Sequence, residues 1–395
     1  MFVFLAGNSR LYKKIIALAV AALASSAAFA QSNVTIYGVA DMAVLHASAT
    51  GKQGVNAVES GGLAGSRIGF KGVEDLGNGL KALFTLEYAL NMDNNSGIGA
   101  VDSPWSSTVA RQQFVGLTSN YGTVVAGRLQ TAGYDWACSV SPLAGGAFAT
   151  NDKLNGRTLL SCGSTGRADN AVAYISPTFA GVTVALNTAR ITENRNTAGQ
   201  AAYDAAIAAG KTVAQATAAQ NALTTQDTAA YLGSVNYKVA GLDMTAIYTR
   251  INNAQTVATD AVREWGLGGS YDFKVVKLFA SYQNQKAQNA ATSKSDSTYQ
   301  LGVSVPTTAT GAVHASYSHL KYASTTADDN QSVWSLGYTH GLSKRTKLYA
   351  GYNRVSNGSE GTRSVTNGSI ANDNFVTPTA GGHASLWGVG INHAF

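Results

Sequence analysis

Residues 66–87 read SRIGFKGVEDLGNGLKALFTLE, and this stretch contains the pattern that decides the fold. Its first part alternates, because Ile68 and Phe70 are separated by small or charged residues. The middle, DLGNG, has the composition of a tight turn. Alternation then resumes in KALFTLE. Because successive side chains of a strand point to opposite faces, the stretch predicts a β-hairpin with one apolar and one polar face.

The polar face of this hairpin has charges that a dry protein core would not accept. These charged side chains are Arg67, Lys71, Lys81 and Glu87. Burying an unpaired ion in a dry interior costs several kcal/mol, whereas a water-filled interior removes that cost. The hairpin therefore predicts a wall with lipid on one side and water on the other.

The same plan of alternating segments and turns continues along the chain and predicts sixteen strands. The predicted strands are 34–46, 66–74, 80–91, 109–118, 122–129, 167–176, 181–190, 229–239, 242–251, 262–271, 275–285, 297–305, 311–322, 332–340, 344–356 and 385–395. Short and long connections alternate between them, and all 5 prolines fall in loops or turns. This is typical of a 16-stranded antiparallel transmembrane β-barrel with short periplasmic turns and long external loops, wide enough for an aqueous channel.

The last strand has the clearest division between the two faces. Trp387, Val389 and Ile391 share one face, whereas mainly small or polar residues occupy the other, with Leu386 as the exception. Aromatic residues near other strand ends predict partial girdles where the wall meets the membrane surface. The candidates for these girdles are Tyr88, Trp265, Tyr317, Trp334, Tyr338, Tyr349 and Trp387, while Tyr37 falls on the lumen face. The connection 191–228 is rich in alanine, which predicts a loop with some helix.

The composition agrees with a wall that meets lipid. Charged residues make up 13% of the chain, about half the usual share in soluble domains, and there are 42 Gly and 18 Tyr. Such a balance excludes a disordered, highly charged protein. The chain also lacks the repeated apolar runs of about 20 residues that a helical membrane protein needs.

The first thirty residues predict a secretory signal peptide rather than part of the fold. A basic segment with Lys13 and Lys14 precedes an apolar run, and Ala28-Phe29-Ala30 follows as a small-x-small cleavage site. Cleavage after Ala30 would leave 31–395 as one barrel domain. The signal holds three of the 28 basic residues and none of the 22 acidic ones, so the mature net charge is +3 rather than +6. Without a Lys/Arg block, nucleic acid is not an expected partner.

Cys138 and Cys162 are the 2 cysteines of the chain. Export places them in an oxidising compartment, which favours a disulfide, although two free thiols remain the alternative. A disulfide here would contribute roughly 3 kcal/mol on the chain-entropy model. No further ligand lies near them in sequence, so we expect neither a zinc site nor another metal or cofactor.

Three other readings compete with a channel. A secreted β-sandwich would not explain the regular alternation of short and long connections. A barrel hydrolase would need a nucleophile and base, and the chain has no Gly-x-Ser-x-Gly motif and no metal-ligand spacing among its 6 histidines. A substrate-selective channel or an adhesin would show an aromatic slide or a large external domain, and it remains the main alternative.

Six segments resemble the general diffusion porins of Gram-negative, β-proteobacterial outer membranes. These segments are NVTIYGVAD (33–41), 66–87, RQQFVGL (111–117), YGTVVAGR (121–128), RADNAVAYISPTFAG (167–181) and GVGINHAF (388–395). The resemblance implies a homotrimer of water-filled barrels in outer-membrane lipid, through which ions and small polar solutes diffuse passively. It implies that the third external connection, 130–166, folds inward. It also implies that Phe395 is the signal read by the barrel assembly machinery.

The resemblance further implies a constriction at which basic wall residues oppose acidic groups. The positions on the basic wall are Arg67, Arg111 and Arg167, with Lys71 and Lys81 on the same polar faces; the candidate acids are Asp135 and Asp152 on the loop and Asp41 and Glu87 on the wall. The early part of the loop offers a single carboxylate, Asp135. The surplus of arginine over loop acid predicts a preference for anions.

Overall fold

The computed structural model describes residues 33–94, 98, 110–154, 159–190, 197–223, 228–253, 261–287, 295–323, 329–365 and 377–395. The predicted signal peptide, 1–30, lies outside the described residues. The strands are β1 Asn33–Ala49, β2 Val55–Ser60, β3 Arg67–Gly77, β4 Leu80–Ala89, β5 Ala110–Ser119, β6 Gly122–Gln130, β7 Arg167–Ile175, β8 Val182–Arg190, β9 Thr228–Val239, β10 Leu242–Asn253, β11 Ala261–Asp272, β12 Lys277–Ala287, β13 Asp296–Pro306, β14 Gly311–Lys321, β15 Gln331–Gly341, β16 Thr346–Asn357 and β17 His383–Ala394.

These strands form one closed antiparallel barrel with sixteen positions, which confirms the predicted fold. From β3 onward each strand pairs with the next along the chain, and β17 pairs with β1 to close the barrel. At the seam the backbone N–H groups of Gly38 and Phe395 each donate to the carbonyl of the other at 3.1 Å. The pairing of β17 with β1 joins the two ends of the sheet, and a wall in lipid requires such closure because an open sheet edge would leave backbone groups unpaired.

Two segments, β2 and β3, share one position in the barrel. The first half of β1 pairs with β3, and the second half of β1 pairs with β2. The segment 61–66 separates β2 from β3. The sequence predicted a loop over 47–65, and this detail is wrong. Residues 55–60 of that range form β2, which pairs with the second half of β1. The apolar residues of VNAVES alternate over too few positions to predict a strand alone.

The predicted tight turn between β3 and β4 is confirmed. Gly77, Asn78 and Gly79 have φ angles of 85°, 53° and 78°, a left-handed conformation that glycine and asparagine tolerate best. Asp75 supports the turn by accepting a hydrogen bond of 2.8 Å from the Gly77 N–H. The hairpin predicted from residues 66–87 therefore forms as expected.

The outer face of the barrel is apolar. Trp387, Val389 and Ile391 on β17 are 52%, 52% and 45% exposed, as alternation predicted. A row of aromatic side chains continues across eight neighbouring strands, with one residue on each strand from β10 to β17. Its members are Tyr248, Trp265, Tyr282, Tyr299, Tyr317, Trp334, Tyr352 and Trp387. Such a row suits the boundary between hydrocarbon and headgroups.

The described parts of the connection 130–166, residues 130–154 and 159–166, lie inside the barrel and pack against its inner wall. They contain helix α1 Ala132–Ser139, the short helix α2 Asn151–Leu154 and a 3₁₀ turn at Ser164–Gly166. Trp136 and Phe148 from this loop are 1% and 2% exposed. Phe148 forms a buried cluster with wall residues that include Leu45 and Val333. The apolar core of the molecule therefore lies between the loop and the wall.

The predicted helix content of the alanine-rich connection is confirmed. Helices α3 Thr197–Ala208 and α4 Val213–Leu223 follow one another in it. None of the helices in the described ranges is long and apolar enough to cross a bilayer.

Candidate functional site: the arginine constriction

Three arginines and one glutamate meet on the inner wall because neighbouring strands hold them at the same height. Gly69 on β3 pairs with Glu87 on β4, and Glu87 pairs with Gln112 on β5. Arg67 lies two residues from Gly69 on β3, and Arg111 lies one residue from Gln112 on β5. Both arginines are therefore close to Glu87. Arg167, at the start of β7, pairs with Gln130 at the end of β6.

Glu87 is the acceptor at the centre of this cluster. Its carboxylate is 2.7 Å from Arg111 Nε and 3.7 Å from Arg67 Nε. The hydroxyl of Tyr37 donates a third contact at 3.0 Å. The residue is 5% exposed, so burial strengthens these contacts relative to a surface pair. Glu87 was predicted among the acids of the pore, and the structure places it within the basic wall.

Arg167 has no ion-pair partner among the described residues. Their ion pairs involve the arginines at 67, 111 and 128 but not Arg167. Its guanidinium carbon lies 4.6 Å from the ring centroid of Tyr134, and its Nη1 donates to the Gly163 carbonyl at 3.3 Å. The ring face and the carbonyl hold the cation without neutralising it. Three guanidinium groups with one carboxylate leave the cluster with a net charge of +2.

Beside the contacts of Arg167 with Tyr134 and Gly163, a cavity of about 280 Å³ lies between this cluster and the inward loop. The wall contributes Arg67, Arg111 and Arg167 to its lining, and the loop contributes Tyr134 and several small residues. The disulfide between Cys138 and Cys162 also lines the cavity. Its two Cα atoms are 4.9 Å apart, so it ties helix α1 to the returning part of the loop. The loop and the basic wall thus touch at Arg167 and border the same cavity elsewhere.

Asp41 does not line this space, in contrast to the prediction. It is 0% exposed, and its carboxylate accepts hydrogen bonds from the side chains of Tyr349 at 2.5 Å and Asn392 at 2.6 Å. The backbone N–H groups of Leu63 and Ala64 also donate to it, at 3.2 and 2.9 Å. Alternation put Asp41 on the inner face correctly, but the segment 61–66 covers it. Its charge therefore holds that segment against β1, β16 and β17.

Tyr349 also lies elsewhere than predicted. The sequence suggested a girdle position, but the side chain points inward, is 4% exposed and donates to Asp41. Side chains along β16 alternate between the two faces, and Tyr349 falls on the inner one. Tyr352, three residues further along the strand, is the tyrosine that faces outward.

The two lysines differ in their distance from the cluster. Lys71 is close, because its Nζ lies 5.2 Å from the ring centroid of Tyr37. Lys81 lies beside the short turn at the start of β4, six residues before Glu87. At about 3.3 Å per residue that separation is about 20 Å, so Lys81 does not belong to the constriction. The alternation pattern predicted the face to which the Lys81 side chain points, but not its position along the barrel axis.

The loop acids are placed differently from each other. Asp135 lies on α1 and its side chain is exposed within the barrel. The side chain of Asp152 lies outside the described residues. Among the described ion pairs none joins Asp135 to a wall arginine. Partial desolvation by the surrounding protein raises the pKa of the Asp135 carboxyl group to about 6.

This raised pKa predicts a pH-dependent selectivity. A carboxyl group with a raised pKa is charged above that pKa and loses its charge below it, so the lumen becomes more positive as pH falls from 7.5 to 5. We expect the reversal potential under a salt gradient to shift towards anions over this interval. The Asp135→Asn variant should show a smaller shift than the native channel, because the variant lacks this charge at every pH. An equal shift in both proteins would contradict the assignment.

Three contributors to the site were absent from the predicted set: Tyr37, Tyr134, and two backbone carbonyls, one in the segment 61–66 and one in the inward loop. Alternation did place Tyr37 on the lumen face, and the structure bonds it to Glu87. Tyr134 precedes Asp135 in the loop, but a loop has no periodicity that could assign its direction. The Gly65 and Gly163 carbonyls, which accept from Arg67 and Arg167, have no sequence signal at all.

Comparison with known proteins decides what this barrel is. Residues 17–360 match the Gram-negative porin family. The chain belongs to the Gram-negative porins. It is therefore an outer-membrane channel for passive diffusion, and the family is not enzymatic. The described part of the porin contains no group of three or more His, Cys, Asp or Glu side chains arranged for a metal ion.

Individual relatives of this porin support the same family. It is 29% identical to an outer membrane porin protein of Bordetella pertussis, over 86% of this chain and 92% of that one. It is 30% identical to outer membrane porin protein 32 of Delftia acidovorans, over 85% and 87%. A solved structure described as the anion-selective porin from Comamonas acidovorans matches with a TM-score of 0.70 at 26% identity, covering 92% of this porin and all of that chain.

A more distant structure shows the fold alone. The trimer form of OmpT from Vibrio cholerae matches with a TM-score of 0.60 at 14% identity, over 92% of this porin and 99% of that chain.

Proposed function

We propose that this porin prefers anions, and that Arg67, Arg111 and Arg167 set this preference. One observation supports the proposal most directly: Arg167 is 8% exposed and none of the described carboxylates pairs with it, while the other two arginines share Glu87. A permeating anion that enters the adjacent cavity meets a cluster of three cationic groups and one anionic group. Fixed charge of one sign raises the local concentration of the opposite ion.

The acids that could oppose this field are few in the described part of the loop. Asp135 is the acid of α1, and it lies outside ion-pair distance of the arginines. Asp41 is covered by the segment 61–66. The constriction is therefore better described as a basic wall facing a mainly uncharged loop than as two balanced rows of opposite charge. A related porin described as anion-selective supports the same direction of preference.

The test is a reversal-potential measurement on the refolded protein in planar bilayers with a KCl gradient. We expect the potential to have the sign of chloride permeation and to approach zero as the salt concentration rises, because salt screens fixed charges. A potential of the opposite sign would contradict the proposal without affecting the assignment to the porins.

We further propose that the porin assembles as a homotrimer, with β1–β8 on the side that meets the other subunits. The exposed large apolar side chains of the described residues in these eight strands are all aliphatic, for example Val44, Val115 and Leu186. The aromatic row begins beyond them. The outward aromatic residues on this side, such as Phe84 and Tyr88 on β4, are half-buried rather than exposed. A face without a row of exposed aromatic side chains suits contact with protein better than contact with a membrane surface. The OmpT structure is described as a trimer form. Measuring the mass of this porin in detergent solution tests whether it is also a trimer.

We also propose that residues 1–30 are removed on export and that Phe395 serves as the assembly signal. Phe395 is 43% exposed, and its ring lies over Gly38, where an added Cβ would be 2.3 Å from its Cζ atom. The last residue is thus placed at the closing seam and is still accessible. N-terminal sequencing of the exported protein tests the cleavage after Ala30.

A further inference from the structure

Five glycines of the inner wall lie directly beneath side chains of the inward loop. The pairs are Gly266 with Trp136, Gly268 with Val140, Gly302 with Pro142, Gly337 with Leu143 and Gly351 with Phe148. A Cβ atom added to each glycine would lie 2.7, 2.8, 2.8, 2.9 and 2.6 Å, respectively, from the loop side chain. These positions belong to β11, β13, β15 and β16. We call the five residues the glycine track.

The backbone does not require glycine at these positions. None of the five glycines in the track has a φ angle in the left-handed region, whereas turn glycines such as Gly77 and Gly241 do. A strand interior also disfavours glycine, because it has no side chain to pack. At four of the five glycines the nearest obstacle to a side chain is the loop, whereas at Gly268 the wall residue Ser281 is nearer, at 2.6 Å, than Val140. The space that the loop occupies is therefore the remaining physical reason for glycine at those four positions and one of two reasons at Gly268.

Hydrogen bonds fix the loop along the same part of the wall. Gln300 Nε2 donates to the Val140 carbonyl at 3.0 Å, and Asn353 Nδ2 donates to the Ala147 carbonyl at 2.7 Å. The hydroxyl of Ser318 donates to Thr150 at 2.8 Å. These contacts oppose sliding of the loop along the wall. Strand pairing on both sides holds the wall backbone, for example at Gly351, so added bulk has to move the loop side chains away from the track, against these hydrogen bonds.

The direction of that movement is towards the arginines. The loop has the glycine track on one side and the cavity with Arg67, Arg111 and Arg167 on the other. We infer that the glycine track sets the width of the pore, because it determines how far the loop withdraws from the basic wall. The inference concerns size selection, and it does not depend on the proposed preference for anions.

Gly351→Ala tests this inference. The added methyl group must displace the Phe148 ring by about 1 Å, because ordinary contacts of a Cβ atom are 3.4–4 Å and this one would be 2.6 Å. We expect a lower single-channel conductance and a larger loss of permeation for large sugars than for small ones. Gly302→Ala, beneath Pro142, should act in the same direction. An unchanged or higher conductance in the folded variants would overturn the inference.

Two further proteins separate size control from a general effect on folding. Gly341→Ala on β15 is the matched control, because Gly341 lies four residues from Gly337 on the same face of the strand. Its Cβ would meet only Thr310 and Ser343, at 3.5 Å or more, which is ordinary contact, so its conductance should equal that of the native channel. In the double variant Gly351→Ala with Phe148→Ala, the clash is removed and conductance should recover at least to the native value. Failure to recover would show that the loss does not arise from the loop contact.

Discussion

Replacing Arg111 and Arg167 together by glutamate is expected to reverse the ion preference of the channel. The cluster of Arg67, Arg111, Arg167 and Glu87 would change from a net charge of +2 to −2. The side chains line the cavity between the wall and the loop, so we expect the change to act on ions that pass the loop. Fixed charges in a narrow aqueous passage determine which ion accumulates there. The expected result is a change of sign in the reversal potential under a KCl gradient.

Two variants make this experiment specific. Arg167→Glu alone leaves the contact between Arg111 and Glu87 intact and should shift the potential in the same direction by a smaller amount. Lys81→Glu makes the same charge change on the same polar face, but about 20 Å away along the strand. It should shift the potential little. If Lys81→Glu acted as strongly as Arg167→Glu, the charge of the whole lumen, and not the constriction, would control selectivity.

Asp41→Asn is expected to cause the largest loss of stability among the variants considered. The native carboxylate is fully buried and accepts from Tyr349, Asn392 and two backbone N–H groups. The amide would turn an NH₂ group towards one of these donors, which loses one charged hydrogen bond and opposes another. Hydrogen bonds to charged groups contribute about 1.5–3 kcal/mol each, so we expect a loss of about 3 kcal/mol. Urea unfolding of protein refolded in lipid vesicles, followed by tryptophan fluorescence, measures it.

The matched control for this prediction is Glu74→Gln near the short-turn end of β3. Glu74 is exposed, so neutralising it should change stability by no more than about 0.5 kcal/mol. If Asp41→Asn kept the native stability and shifted the reversal potential, Asp41 would belong to the pore wall, as the sequence predicted.

The sequence could predict the wall well, because a strand in lipid must alternate between apolar and polar faces. The hairpin of residues 66–87, the outward face of β17 and the inward direction of Arg67 and Glu87 all follow from this period of two. Height along the barrel does not follow from it, which is why Lys81 was grouped with Arg67. Height depends on the register between neighbouring strands, and register depends on pairs that are distant in sequence.

The interior of the barrel was less predictable for a related reason. Asp41 was assigned correctly to the inner face, but a segment that is not part of the alternating pattern covers it. The glycine track was also invisible, because a glycine in a strand can equally indicate a bulge, a bend or a close approach. What decides among these is the path of the loop, and a loop has no period from which its path could be derived.

The seam between Gly38 and Phe395 has a consequence for the order of assembly. The two residues that close the wall are nearly a full chain length apart, so their contact has the largest loop-closure cost and should form late. Until then, two strand edges with unpaired backbone groups are exposed in the intermediate. Such edges can recruit a strand from another molecule as easily as from the same chain. The stage at which this protein most needs protection from aggregation is therefore the interval when all hairpins exist and the ring is still open.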